Sequence, residues 1–143
     1  KDLFLIPHLE MIHSVDSLKL LHEMVKRKSH LKKTIKVFLQ VNTSHEEQKS
    51  GFESLEEIEN AILYLRDHSD KFELFGLMTM GPIRTENFEN GAEVSFKQLF
   101  ELSRELNEKF QLNLKLSMGM SQDFRIALKY HSDFVRIGSA VFK

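Results

Sequence analysis

Residues 116–124 read LSMGMSQDF, and residues 134–142 read FVRIGSAVF. In each stretch apolar, strand-like residues lead into small, permissive ones: Gly119 in the first stretch, and Gly138 with Ser139 in the second. Small residues at the end of a strand let a ligand approach the backbone closely. We therefore expect the tips of these two strands to lie side by side and to share a phosphate group.

Outward from these stretches, strand-like and helical patterns alternate along the whole chain. Apolar residues recur at helical spacing between the strands, and Ser54 with Glu57 forms a capping box at the start of one helix. The predicted strands lie at 11–15, 34–42, 71–82, 112–120 and 134–142. Strict β-α alternation predicts a parallel sheet with crossover helices.

The spacing of these units favours part of a barrel. No G-x-G-x-x-G follows any strand, so a dinucleotide-binding fold has no direct support. An eightfold barrel spends roughly 30 residues on each βα unit. Five strands are too few to close it, so we expect about three units to be absent from this chain. The chain opens at Lys1 rather than at a methionine, which agrees with a missing start.

Composition excludes several classes of protein. The chain has 143 residues, enough for one domain, with 41% hydrophobic and 29% charged residues and a net charge of −1. This balance gives no support for nucleic acid or a membrane surface as partner. There is no cysteine, and the seven histidines form no HxxxH or HExxH pair, so we expect no metal site. With no secretory signal visible, we predict a cytoplasmic protein.

Several motifs together resemble the YggS-type pyridoxal 5'-phosphate (PLP) homeostasis proteins, also called proline synthetase co-transcribed homologues. The matching stretches are IHSVDS (12–17), KSGF (49–52), GLMTM (76–80), LSMGMSQDFRIAL (116–128) and VRIGSAVF (135–142). The resemblance implies an alanine-racemase-like (β/α)8 barrel, of which this chain supplies about the last five βα units as one C-terminal portion. It also implies a Schiff-base lysine on an early strand, and no position here matches that lysine.

The resemblance implies a PLP site at the strand tips. The residues that it assigns to the cofactor are Ser117, Met118, Gly119, Ser121, Gln122, Arg136, Gly138, Ser139, Asn42 and His13. Ser121, Gln122 and Asp123 would begin a short helix whose N–H groups face the phosphate. The plain alternative is that Ser121 only caps that helix. The carboxylate of Asp123 would compete with phosphate for those donors, so we expect it to face solvent.

Arg136 is the single charged residue in its apolar strand. On the inside of a barrel it would meet the phosphate or the pyridine nitrogen of PLP. Beside the ring nitrogen it would keep that nitrogen unprotonated and make the ring a weaker electron sink. The alternative is an ion pair on the side that faces the helices. Met118 and Met120 would pack either around the ring or in the core.

Asn42 ends the second strand, and His13 with Ser14 would end the first. For each of them a local turn hydrogen bond is an equally good explanation. Lys49 lies between Glu46, Glu47 and the KSGF motif. Neighbouring carboxylates raise the pKa of a lysine, which argues against Lys49 as the covalent residue.

The resemblance implies a PLP carrier or regulator without turnover, with PLP-dependent apo-enzymes and the protein's own N-terminal segment as partners. An amino-acid racemase on the same fold is the alternative from the enzyme class, and a fragment that binds nothing is a third. Racemisation on this fold generally needs a second acid–base group such as a tyrosine. Tyr64 and Tyr130 are the two tyrosines, and both fall in predicted helices.

The sequence departs from the family pattern at His131. Family members tend to have glycine there, at the end of the short helix, where a left-handed cap forms. Histidine can adopt a positive φ at some cost, so we expect the cap to be kept. The chain also ends in FK, where the family usually continues FG.

Overall fold

A computed structural model describes residues 11–43, 50–81 and 88–136 of the chain. Its centre is a five-stranded, all-parallel sheet whose strand order follows the chain order. The strands are β1 Met11–Val15, β2 Ile35–Gln40, β3 Phe72–Met78, β4 Lys115–Met120 and β5 Phe134–Arg136. The helices are α1 Leu18–Lys26, α2 Leu55–Arg66, α3 Phe88–Phe110 and α4 Phe124–Lys129, with a short 3-10 turn at Lys28–His30.

The fold class predicted from the β-α alternation is confirmed. A sheet whose consecutive strands all pair in parallel, with helices as the crossovers, is an open arc of a (β/α) barrel. The predicted neighbourhood of the last two strands is confirmed as well, since β4 pairs directly with β5.

The helices cover one face of the sheet, which we call the outer face. Alternate residues of β2 (Ile35, Val37 and Leu39) are buried in the same apolar cluster as the helical stripes. Those stripes are Leu21 and Met24 of α1, Ile58, Ala61, Ile62 and Leu65 of α2, Phe96, Leu99 and Leu106 of α3, and Ala127 of α4. The helical spacing in the sequence therefore identified the core-facing side of each helix.

The opposite, inner face of the sheet carries three aromatic rings. The Phe38 ring centroid lies 5.6 Å from that of Phe75 and 5.5 Å from that of Phe134, and the Phe75 and Phe134 centroids are 6.3 Å apart. The Lys36 ammonium lies 4.7 Å from the centroid of the Phe75 ring. Gly76 makes room for this packing, because a Cβ on it would meet the Lys115 carbonyl oxygen and the Phe38 ring. These rings thus fill the inner face below the carboxyl ends of the strands, toward the end where the strands begin, which we call the lower end. The carboxyl ends are left as the place for a site.

Several boundaries differ from the sequence prediction. The third strand ends at Met78 rather than at 82, and the second strand spans Ile35–Gln40 rather than 34–42. The fourth strand starts at Lys115 rather than at 112. The Leu114 N–H donates to the Asn107 side chain instead of to a neighbouring strand, so the residues just before Lys115 are not part of the sheet. The short helix starts at Phe124 rather than Ser121, and residues 121–123 form a turn instead. The prediction that Ser121, Gln122 and Asp123 begin the helix was therefore wrong, and so was the alternative of Ser121 as its cap, because Asp123 occupies the cap position.

The predicted left-handed cap is confirmed. His131 has φ +66°, one residue beyond Tyr130, which ends α4. Its ring packs 5.0 Å from the Phe100 ring of α3. Gln111 takes the same left-handed conformation just after α3, with φ +54°.

Candidate functional site at the carboxyl ends of the strands

The carboxyl ends of β3, β4 and β5 lie side by side along one edge of the sheet, which we call the upper edge. Met78 pairs with Ser117, and Met120 pairs with Arg136. Chemistry in a (β/α) barrel sits at these carboxyl ends of the strands. Ser117, Gly119 and Arg136, which the sequence singled out, thus lie on two adjacent strands of one sheet.

Arg136 reaches from β5 across this edge. One Nη of its guanidinium donates to Ser117 Oγ at 2.6 Å, and the other donates to the Thr79 carbonyl oxygen at 3.0 Å. Ser117 alternates along β4 with Leu116 and Met118, both of which pack in the core under the helices. Ser117 and the guanidinium therefore lie on the inner face, and the alternative of an ion pair against the helices was wrong.

Burial lowers the pKa of Arg136, and the carboxylate of Asp123 partly offsets that effect. An arginine pKa starts so high that the group stays a cation at neutral pH. Among the described residues, its two hydrogen bonds leave further N–H donors of the guanidinium available. The upper edge thus holds a fixed, partly desolvated positive charge, which attracts an anion or an electron-rich ring nitrogen.

Two threonines that the sequence reading missed tie the strand tips together. The Thr79 hydroxyl donates to the Val41 carbonyl oxygen at 2.7 Å and lies 2.7 Å from the Thr43 hydroxyl. Thr79 is fully buried, and its carbonyl is the one that holds Arg136. The signal was available: Thr79 is the first polar residue after the apolar run of β3, within the GLMTM motif.

Gly119 has the backbone conformation that glycine favours, with φ +106°. A Cβ there would lie 2.8 Å from the Ala127 Cβ and 3.1 Å from the Phe124 Cα. The absent side chain lets α4 pack directly against the end of β4.

The turn 121–123 links β4 to α4, and Asp123 anchors it. Asp123 is only 6% exposed, so the expectation that it faces solvent was wrong. Its Oδ1 accepts the Met120 N–H at 2.6 Å, a bond that holds the carboxylate at the strand tip. Ser121 is half-buried and Gln122 is exposed on the same turn.

A cavity of about 270 Å³ opens over this turn. Its wall is formed by residues 121–126 together with Lys129, and Arg125 and Lys129 contribute two positive charges. A space of this size and polarity can accommodate a phosphate-sized anion and its waters.

The two methionines of the SMGMS stretch have separate environments. Met118 is fully buried in the core on the outer face, and its backbone N–H donates to Ser132 Oγ. Met120 is 40% exposed at the tip. Met118 therefore belongs to the hydrophobic core and not to the proposed site.

Ser132 is a second residue that the sequence reading did not identify. Its hydroxyl lies 2.8 Å from the carbonyl oxygens of both Met118 and Phe134 and also accepts the Met118 N–H. It therefore joins the two strands beside the site. Its signal was weak, since a serine between a helix and a strand is common in turns.

Asn42 lies buried at the tip of β2, where the sequence placed it. Its N–H donates to the Phe52 carbonyl oxygen, and Val41 bridges to Phe52. Gly51 allows this contact, because its φ is +133° and a Cβ on it would lie 2.7 Å from the Asn42 nitrogen. Gly51 and Phe52, the last two residues of the KSGF motif, thus pack against Val41 and Asn42 just beyond β2.

His13, Lys49, Gly138 and Ser139 are the other residues that the sequence singled out. His13 is the third residue of β1, which ends at Val15, so it does not sit at the strand tip as expected. Its side chain, Lys49, Gly138 and Ser139 lie outside the described residues. Within the described ranges, no group of acidic or histidine side chains is arranged to hold a metal ion. No helix there has the length and apolar character to cross a membrane.

Comparison with known proteins agrees with this fold. The family model described as alanine racemase, N-terminal domain, matches residues 1–143. The mouse pyridoxal phosphate homeostasis protein is 36% identical over 145 residues, covering 98% of this chain and 52% of the mouse protein. The chain thus spans about half the length of that curated relative.

Two solved structures of PipY from Synechococcus elongatus share the architecture. The one without PLP has a TM-score of 0.80 at 28% identity, over 96% of this chain and 63% of PipY. The one with PLP bound has a TM-score of 0.76 at 26% identity, over the same shares of the two chains.

Proposed function

The chain belongs to the alanine racemase N-terminal domain family, and from that membership we propose that its strand tips hold the phosphate and the ring end of PLP. The observation that carries the proposal is Arg136, a half-buried cation on the inner face that donates hydrogen bonds to Ser117 of β4 and to the Thr79 carbonyl oxygen just beyond β3. A PLP-bound relative of the same architecture supports it.

The donors at the upper edge fit PLP chemically. A phosphate needs N–H and O–H donors and positive charge. Arg136 offers positive charge on the inner face, and Arg125 and Lys129 offer it at the cavity over the 121–123 turn, whose lining does not include Arg136. Ser121, Gln122, Gly138, Ser139 and Asn42 remain proposed contacts.

PLP, when bound, supplies an electron-withdrawing pyridine ring and an aldehyde that a lysine can hold covalently. Arginine stays a cation at neutral pH, so Arg136 does not transfer a proton to a ring nitrogen there. If Arg136 lies beside the ring nitrogen rather than the phosphate, it therefore keeps the ring a weak electron sink. That arrangement suits storage and delivery of the cofactor better than turnover.

The positions of the lysines and tyrosines support a carrier. On the inner face of the described strands, Lys36 sits at the lower end of β2 and Lys115 at the lower end of β4, away from the tips. We propose that the covalent lysine lies upstream of this chain, in the N-terminal segment of the same protein. PLP-dependent apo-enzymes are the proposed recipients, and a cytoplasmic location stays a prediction.

The racemase alternative lacks an acid–base group near the site. Tyr64 lies in α2 between the His22 and His68 rings. The Tyr130 hydroxyl donates to Glu93 at 2.9 Å, and this hydrogen bond raises the pKa of Tyr130, which makes it a poorer proton donor. In the described part of the chain both tyrosines thus belong to the helical layer.

The test uses the complete protein and two measurements. Titration with PLP, followed by visible absorbance and equilibrium dialysis, should show saturable binding. Incubation of the loaded protein with alanine in deuterated water should show no exchange of the α-proton above that of free PLP. Absence of binding overturns the proposal of a PLP site, and catalysed exchange overturns the carrier in favour of the racemase.

A further inference from the structure

Asp123 is a buried carboxylate at the edge where the proposed site needs donors of hydrogen bonds. It is 6% exposed, and it stands at the N-cap position just before α4, where its side chain makes no capping hydrogen bond to that helix. Its Oδ1 instead accepts the Met120 N–H at 2.6 Å. A backbone donor at the tip of β4 is therefore already occupied.

The rest of the carboxylate faces the tips of the neighbouring strands. A Cβ built on Gly81, which follows β3, would lie 2.9 Å from Asp123 Oδ2. The charge of Asp123 also acts on Arg136, since it opposes the effect of burial on the pKa of that guanidinium. The negative charge thus lies between the ends of β3 and β4, within electrostatic reach of Arg136.

Both features weaken the binding of an anion. The occupied Met120 N–H is lost to a phosphate, and the carboxylate repels the phosphate while neutralising part of the Arg136 charge. A carrier that must release its cargo gains from them, because weaker binding generally appears as faster dissociation.

We propose that Asp123 limits the affinity of this site for the phosphate of PLP and so speeds its release. This inference rests on the proposed function, and it concerns Asp123 alone. Asp123 then acts as an affinity-setting residue rather than as a ligand of the cofactor.

The test compares two matched substitutions in the complete protein. Asp123→Asn removes the charge and keeps an oxygen that can accept the Met120 N–H. Asp133→Asn is the control: Asp133 Oδ2 accepts the Leu116 N–H at 2.8 Å near the lower end of the same strand. Both variants lose one carboxylate that binds a backbone amide of β4, but only one of them is at the proposed site.

Equilibrium dialysis and stopped-flow dissociation give the readouts, with PLP and with pyridoxal, which lacks the phosphate. We expect Asp123→Asn to tighten PLP on the order of tenfold, mostly through slower dissociation. Pyridoxal should be affected much less. Asp133→Asn should leave both ligands unchanged, and Asp123→Glu, which keeps the charge, should not tighten PLP.

Unchanged or weaker PLP binding by Asp123→Asn would overturn the inference while leaving the PLP site itself intact. So would an equal gain for PLP and pyridoxal, since the effect would then not act on the phosphate. A variant that fails to fold assigns Asp123 a structural role and also counts against the inference, unless Asp123→Ser folds and tightens PLP. Failure of the wild-type protein to bind PLP would overturn the proposed function instead.

Discussion

Gly119 shows how a single backbone conformation shapes the site. Its φ of +106° is unfavourable for any residue with a side chain, and α4 leaves no space for a Cβ. A glycine at a strand end could be read from the sequence as a place of close approach. The element that approaches Gly119 is the first turn of α4. This contact depends on tertiary packing and could not be predicted from the sequence.

We expect Gly119→Ala to lower the free energy of unfolding by about 1–3 kcal/mol, from backbone strain and the contact with Ala127. Urea denaturation of the complete protein measures this. Gly91→Ala is the control, because Gly91 lies inside α3, where alanine is favoured by roughly 0.5–1 kcal/mol. Equal stability of the two variants would argue against the strained conformation at Gly119.

Arg136 was recognisable as the lone charge in an apolar strand, but its partners were not. They come from two other strands: the Ser117 hydroxyl and the Thr79 carbonyl oxygen, 19 and 57 residues away in the chain. Thr79 was missed because its role depends on lying beside Val41 and Arg136 at once. Contacts between strands that are distant in sequence are the part of the site that residue patterns reveal least.

At the scale of the elements, the junction from β4 to α4 was the least predictable part. The sequence SQDF carries a helix-start signal, but the chain first makes a turn over 121–123 and begins α4 at Phe124. The short-range bond from Asp123 to the Met120 N–H stabilises that turn. Asp favours such local bonds to backbone amides, so it competes with the helix for these residues.

The end of α4 offers a direct test of the left-handed cap. We expect His131→Gly to be more stable than His131→Ala by about 1 kcal/mol, because glycine relieves the positive φ and alanine does not. Both substitutions remove the His131 ring from its contact with Phe100, so the difference isolates the backbone. Thermal or urea unfolding of the two variants measures it, and equal stabilities would contradict the cap.

The long periodic elements, by contrast, were predicted well. The core positions of α2 are the four that its spacing indicated, Ile58, Ala61, Ile62 and Leu65, and all are buried. Alternation in β2 likewise separated the residues of the outer face from Lys36 and Phe38 on the inner face. Periodicity predicts such faces because burial acts on every turn or every second residue.

At the scale of the molecule, the sheet is open. β1 and β5 are each paired on one side within the described strands, whereas a closed barrel leaves no such edges. The chain also spans only about half of a curated relative. An open parallel sheet with a partly apolar inner face should be unstable or self-associating by itself.

We therefore expect residues 1–143, produced alone, to unfold at lower temperature than the complete protein or to form oligomers through the sheet edges. Size-exclusion chromatography with light scattering and a thermal melt measure both outcomes. A monomeric sample that unfolds cooperatively at the temperature of the complete protein would show that the five strands need no further βα units.

The most direct test of the central claim is PLP titration of Arg136→Gln in the complete protein, with Arg104→Gln as the control. Arg104 is an exposed residue of α3 that stacks on Phe100, so its loss removes the same charge away from the strand tips. Arg136→Gln should weaken PLP binding by about 1.5–3 kcal/mol, the worth of a charge-assisted hydrogen bond. That corresponds to roughly tenfold to a hundredfold in the dissociation constant, while Arg104→Gln should bind PLP as the wild type does. A lowered melting temperature with unchanged PLP affinity for Arg136→Gln would contradict the account, because Arg136 would then hold the strand tips together without taking part in binding.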